Sequence, residues 1–146
     1  MSIEDDVALL ERVPTLRLLG TTALRMLAIG SEQRDFARGD LLFNAGDDAD
    51  AGYIVQRGAF RVEDGGAEII AGPGALIGEL ALIVAMRRPS SAIAIEHSTV
   101  IRVARSLFQR VLESDPAAAR RLRDELANRT SQLASDILMA GAKLSI

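Results

Sequence analysis

Between Ser31 and Val103 the chain breaks into short apolar runs separated by glycine-centred turns, and this texture restricts the fold more than any other feature. Runs of three to five residues are too short for core helices, and the residues between them are those that tight turns favour. Arg38-Gly39-Asp40 turns into Leu41-Leu42-Phe43, and Gly46-Asp47-Asp48 precedes Tyr53-Ile54-Val55. Arg57-Gly58 turns into Ala59–Val62, and Asp64-Gly65-Gly66 makes a tight hairpin into Glu68-Ile69-Ile70. Farther on, Ala92–Ile95 and Thr99–Val103 read as two more strands around Glu96-His97-Ser98. The pattern predicts a sandwich or barrel of short strands. Aromatic residues make up only 3% of the chain and Trp is absent, so its core must be built from Leu, Ile, Val and Ala.

Helical patterns flank this region. Ser2 is placed to cap a short helix with Ile3, Val7 and Leu10 on its apolar face, ending before Pro14. A second helix is expected from Thr21 or Thr22, carrying Leu24, Leu27 and Ala28 and stopping at Gly30. After the strands, Ser106 is expected to cap a helix with Leu107, Val111 and Leu112 inward. Asp115-Pro116 then opens a last helix of roughly 24 residues, about 36 Å at the usual rise. Its residues Leu122, Leu126, Leu133, Ile137 and Ala140 follow steps of four, seven, four and three, with Thr130 as a polar interruption. That near-heptad stripe predicts a parallel helix pair in a homodimer, with packing on the chain's own barrel as the other outcome. The 146 residues amount to one domain: helices over 1–30, strands over 31–104 and helices over 105–146.

Residues 72–94 carry the chemistry. A Gly-Pro-Gly turn leads to Gly78-Glu79, an apolar run from Leu80 to Val84, the pair Arg87-Arg88, and then Pro89-Ser90-Ser91. A strand, a turn and a short helix in this order gather the helix's first backbone amides into one cup suited to an anion. Arg88 brings a guanidinium fork suited to phosphate, and Glu79 brings two acceptor oxygens suited to hydroxyls. An anion and a polyol held side by side suggest a sugar phosphate or a nucleotide.

Gly78-Glu79-Leu80-Ala81-Leu82, followed after an interval by Arg88 and small hydroxyl residues, resembles the phosphate-binding cassette of cyclic nucleotide-binding domains. The order of glycine turns fits the same family. The resemblance implies a mainly β fold, a double-stranded β-helix or jelly-roll barrel, with short helices before it and a long helix after it. It implies cyclic AMP or cyclic GMP as ligand, with no metal. By the resemblance Glu79 takes the ribose 2′-hydroxyl, Arg88 and the amides at the start of the short helix take the cyclic phosphate, and Gly78, Leu80, Ala81, Pro89, Ser90 and Ser91 complete the nucleotide site. Two positions depart from the family pattern. Ile77 stands where an aromatic residue is common, and Pro89 stands where Ala, Ser or Thr is usual, so one amide donor is missing. Arg87 stands next to Arg88 as a competitor for the anion, but the spacing from Glu79 favours Arg88. A hydroxyl beside the arginine can favour guanine in the family, so Ser90 and Ser91 leave both bases open.

The resemblance also implies that the C-terminal helix dimerises, covers the base and transmits occupancy to an effector protein that the sequence does not identify. In the family's transcription factors a helix-turn-helix domain follows that helix; here the sequence ends at Ile146, which leaves either a free-standing sensor or a piece of a longer protein, and these residues themselves are not expected to bind DNA directly. The alternative is a degenerate barrel that binds no nucleotide and serves as a dimerisation or protein-interaction module.

Other chemistries find little support. Net charge is −3 with a pI near 5.2, which argues against generic nucleic-acid binding. The acidic N-terminus is not that of a signal peptide, no apolar window approaches a membrane span, and there is no cysteine, so a cytoplasmic protein is expected. Asp47, Asp48 and Asp50 lack the Glu that an EF-hand spacing requires, and His97, the only histidine, cannot form a metal site alone. No nucleophile–His–acid set or Walker loop is present, and Glu63 and Glu68 read as solvated hairpin positions, so no catalytic role is expected.

Overall fold

The computed structural model describes residues 2–64 and 66–129. Three helices precede the strands: α1 (Ile3–Glu11), α2 (Pro14–Arg17) and α3 (Thr21–Gly30). Ten strands follow: β1 (Glu32–Phe36), β2 (Leu41–Phe43), β3 (Asp48–Ala49), β4 (Ala51–Arg57), β5 (Phe60–Asp64), β6 (Ala67–Ala71), β7 (Leu76–Ile77), β8 (Met86–Arg87), β9 (Ala92–Ala94) and β10 (Ser98–Ala104). A 3-10 helix, Glu79–Leu82, interrupts them. Helix α4 (Arg105–Ser114) comes next, and α5 runs over 116–129 within the described residues.

The strands pair antiparallel in two four-stranded sheets, β1-β10-β4-β7 and β2-β9-β5-β6, with β3-β8 as a small third pair. This is the expected jelly-roll barrel with helical ends. Strand side chains alternate between faces, and β4 and β10 use both. Tyr53, Val55 and Val100 point into the barrel with Phe43, Phe60 and Ile77. Ile54, Ile101 and Val103 point the other way, into a second core with Leu10, Leu16, Leu24, Leu27 and Phe108. The first five residues of β4, Ala51 to Val55, are all buried because that strand lies between barrel interior and helical layer. A continuous apolar run is what such a doubly covered strand needs.

The N-terminal expectations hold for α1, where Ser2 and Asp5 form a capping box and Val7 and Leu10 are buried. The structure corrects the two-helix reading of residues 1–30: α2 is a separate single turn begun by Pro14 in its first position. Helix α3 starts after Gly20, with no hydroxyl cap from Thr21 or Thr22. Ser106 likewise does not cap α4; Ala104 occupies the cap position, and the buried residues are Phe108 and Val111. Asp115 does cap α5, its Oδ1 accepting from Ala118 N at 3.1 Å.

The stripe on the last helix also needs correction. Leu122 is 4% exposed and, with Ala118, belongs to the core shared by the helices, and Leu126 packs against that core. Leu122 is therefore committed to the chain's own fold, and Leu126 partly so. Arg121 adds to that attachment by donating to the carbonyls of Leu18 (2.7 Å) and Leu19 (2.8 Å). Thr130, Leu133, Ile137 and Ala140 lie outside the described residues, as does Gly65 of the β5–β6 hairpin.

Candidate functional site

Strand β7 ends at Ile77, and Gly78 turns the chain with φ 80° and ψ 41° into the 3-10 helix. A side chain at Gly78 would also be obstructed, since a Cβ there would lie 2.6 Å from Arg88 Nη1. Ala81 and Leu82 are buried and seat the helix on the barrel. Leu80 and Val84 of the apolar run instead face outward, 60% and 48% exposed. Arg105 secures the far end of this segment, with Nη1 donating to Ala49 O (2.7 Å), Val84 O (3.1 Å) and Ala81 O (3.2 Å). The helix's first amides, at Glu79 and Leu80, precede its first internal bond, from Ala81 N to Gly78 O at 3.1 Å.

The short β3–β8 ladder delivers Arg88 to the same place. Its amide donates to Asp47 O at 2.7 Å, and its carbonyl accepts from Gly46 N at 2.8 Å. The side chain is only 4% exposed. The guanidinium stacks over Phe43, 4.2 Å from the ring centroid, with Tyr53 at 5.5 Å, and Nη2 donates to Ala51 O at 2.8 Å. Its Nε is buried and has no hydrogen-bond partner among the described residues. Desolvation pulls the group's pKa below the ordinary guanidinium value, opposed by the nearby Tyr53 and Asp50.

These elements enclose a pocket of about 200 Å³, lined by Gly78, Glu79, Leu80 and Ala81 on one side and Arg88, Pro89 and Ser90 on the other. A cleft of about 360 Å³ shares Val62, Ile77, Gly78, Pro89 and Ser90 with it and continues along Ile69 and Ile70. Seven of the eight residues singled out from the sequence thus meet around one pocket. Ser91 is the exception: its hydroxyl accepts from Ala45 N at 2.8 Å and it lines neither space. Arg87 is exposed and donates to Gly46 O at 3.2 Å, away from the pocket.

Glu79 has partners that the sequence does not reveal. Its Oε1 accepts from Thr15 Oγ1 at 2.6 Å and from Arg129 Nη1 at 2.9 Å, and Arg129 Nη2 donates to Thr15 Oγ1 at 2.9 Å. The same guanidinium pairs with Glu125 one turn earlier on α5, Nε to Oε1 at 3.6 Å. The hydrogen bond that Arg129 donates to Glu79 is the main reason its pKa is raised. Helices α2 and α5 therefore converge on Glu79, the one carboxylate lining the pocket among the described residues. No cluster of His, Cys, Asp or Glu among the described residues could hold a metal ion. Asp47 accepts from Asn44 N, and Asp50 pairs with Arg102 at 3.1 Å, so these two acids serve local structure.

The chain is similar in fold to the N-terminal domain of a transcriptional regulator from Streptomyces coelicolor, with TM-score 0.77 and 27% identity over 86% of this chain and 94% of that one. It is also similar to a cyclic nucleotide-binding-like protein from Brucella abortus, with TM-score 0.65 and 36% identity over 75% and 98% of the two chains. An NTE family protein of Mycobacterium bovis is 31% identical over 84% of this chain, which spans 23% of that protein's length. The model of the cyclic nucleotide-binding domain matches residues 33–115, the barrel together with its cassette and α4. The chain therefore belongs to the cyclic nucleotide-binding domain family.

Proposed function

We propose that this domain binds a cyclic nucleotide, preferentially cyclic AMP, between the 3-10 helix and Arg88, and passes occupancy on through its C-terminal helix without catalysing a reaction. One observation carries the reading. Arg88 is a buried cation facing the pocket with an unpartnered Nε, an arrangement that costs stability unless an anion completes it. A cyclic phosphate supplies that anion, and the free amides at Glu79 and Leu80 add donors across from Arg88. Because Pro89 has no amide proton, Arg88 carries a larger share of the phosphate contact. The adjoining cleft, with Val62, Ile69 and Ile70 on its wall, offers Ser90 as its only side-chain hydrogen-bonding group among the described residues. Adenine carries fewer polar edge groups than guanine and loses less on such a wall, so it is the favoured base.

Isothermal calorimetry on protein freed of nucleotide tests this reading. Cyclic AMP is expected to bind at micromolar concentration or tighter, and cyclic GMP about tenfold more weakly, a difference of about 1.4 kcal/mol. An absence of heat with either ligand at millimolar concentration would leave the other reading, a nucleotide-free interaction module. The observations favouring that reading are Pro89 and the prior engagement of Glu79 Oε1.

The homodimer is part of the proposal in reduced form. With Leu122 buried in the fold, Leu133 and Ile137 are the stripe positions left to mediate it. Leu133→Asp with Ile137→Asp is expected to convert dimers to folded monomers in multi-angle light scattering. An unchanged mass would place the contact elsewhere.

A further inference from the structure

The chain has four Phe, one Tyr and no Trp, and two of these few rings lie against a single cation. Phe43 ends β2 and Tyr53 lies in β4, so the rings come from different sheets and meet inside the barrel. Their centroids are 6.1 Å apart and their planes are inclined by 37°. The Arg88 guanidinium lies over both, 4.2 Å from the Phe43 centroid and 5.5 Å from that of Tyr53. Ala51 O accepts from its Nη2, and Gly78 closes a further side, since a Cβ there would lie 2.6 Å from Nη1. Arg88 is 4% exposed, and one hydrogen bond does not offset the water that a buried cation gives up. The ring faces supply more, because their negative quadrupoles attract a cation most where water is excluded. Without them the favoured place for a long charged side chain is with its head in solvent.

We propose that Phe43 and Tyr53 are positioning residues that hold the Arg88 guanidinium in its anion-binding place before a ligand arrives. The proposal rests on the cyclic nucleotide reading above and names the side chains that set the geometry of its phosphate contact. A stacking contact equally strong with and without ligand adds nothing to affinity by itself, since only a difference between the two states counts. Its effect comes through order. A guanidinium fixed in advance loses little rotamer freedom on binding and does not have to return from water. The two residues differ in one respect that a test can use. Phe43 also lines the pocket, whereas Tyr53 lines neither the pocket nor the adjoining cleft. Tyr53 therefore reaches the ligand only through other groups, and Arg88 lies over its ring.

A double-mutant cycle, read by calorimetry with cyclic AMP, separates this role from a general contribution to the fold. Phe43→Leu keeps an apolar side chain at the site and removes the ring. It is expected to weaken cyclic AMP about tenfold in the wild type, and less than about twofold in Arg88→Met, where no cation needs holding. Tyr53→Leu removes the more distant ring and should lose about fourfold in the wild type, again with less than about twofold in Arg88→Met. Tyr53→Phe keeps the ring and should bind within about twofold of the wild type. If Phe43→Leu does not fold, the Tyr53→Leu cycle decides alone. Equal losses in the two backgrounds would overturn the proposal, because a direct ligand contact or a distorted barrel acts whether or not the arginine is there. Unchanged affinity in the leucine variants would overturn it too, since the guanidinium would then keep its place unaided. A wild type that binds no cyclic AMP would remove the nucleotide reading and this proposal with it. A wild type that binds, with an additive cycle, would remove the proposal alone.

Discussion

Arg88→Met is expected to lose about a hundredfold in cyclic nucleotide affinity while its ligand-free fold keeps its stability to within about 1 kcal/mol. The first half follows from the position of the charge. A hydrogen bond to an ionised partner is worth up to about 3 kcal/mol, and in a desolvated pocket no water replaces it. The second half follows from what Arg88 costs without its anion. The wild type buries a cation at 4% exposure with Nε unpartnered, a penalty that methionine, unbranched and apolar, does not carry. Against this the variant loses the stacking on Phe43 and the bond to Ala51 O, together of similar size. The sign of the pH effect is fixed as well. Desolvation lowers the folded-state pKa of this cation, so the unfolded chain holds the proton more tightly than the folded one. The penalty is fully present below the folded pKa and fades only at strongly alkaline pH. The stability difference between the two proteins should therefore be flat from about pH 5 to 9. Urea unfolding gives the stability and calorimetry the affinity. A variant that binds like the wild type would move the anion site away from Arg88.

The parts of this fold that were legible in the sequence are those where local pattern and burial agree. Leu41–Phe43 and the apolar start of β4 stand out because turn residues bound them and because Phe43 and Tyr53–Val55 are needed in the core. Strand β1 is missed for the opposite reason. Its sequence, Glu-Gln-Arg-Asp-Phe, is almost wholly polar, it sits at a sheet edge, and pairing with β10 alone defines it. The cassette is legible because its glycine, acid and arginine lie close in sequence. The surroundings of Glu79 are not, since Thr15 is 64 residues before it and Arg129 is 50 after it. No spacing rule links a threonine in a single-turn helix to an arginine near the end of α5. The stripe on α5 shows another limit. Periodicity identifies an apolar face but not its partner, and the burial of Leu122 assigns that residue to the chain's own core.

Gly58 and Gly78 have nearly the same φ, 83° and 80°, yet alanine at the two positions is expected to do different damage. Each substitution pays about 1–2 kcal/mol for placing an L side chain in the left-handed region. The neighbours decide the rest. At Gly58 a Cβ would lie 2.5 Å from His97 O and 2.7 Å from Ser98 Cα, both backbone atoms. Ser98 cannot retreat, because its buried hydroxyl accepts from Ala59 N at 3.1 Å and donates to Glu96 O at 2.9 Å. Breaking that arrangement adds about 1–3 kcal/mol, so Gly58→Ala should lose on the order of 3 kcal/mol and unfold at much lower urea. At Gly78 the obstructing atom is Arg88 Nη1, the far end of a side chain that can rotate away. Gly78→Ala should therefore lose little beyond the backbone strain while displacing the guanidinium from the pocket. Its affinity for cyclic nucleotide should fall at least tenfold, because a phosphate contact set to within about 0.5 Å is lost. Urea midpoints and calorimetry on the pair check both expectations. A Gly58→Ala protein as stable as the wild type would remove the steric argument, and full binding by Gly78→Ala would show that the position of Arg88 does not depend on the missing side chain.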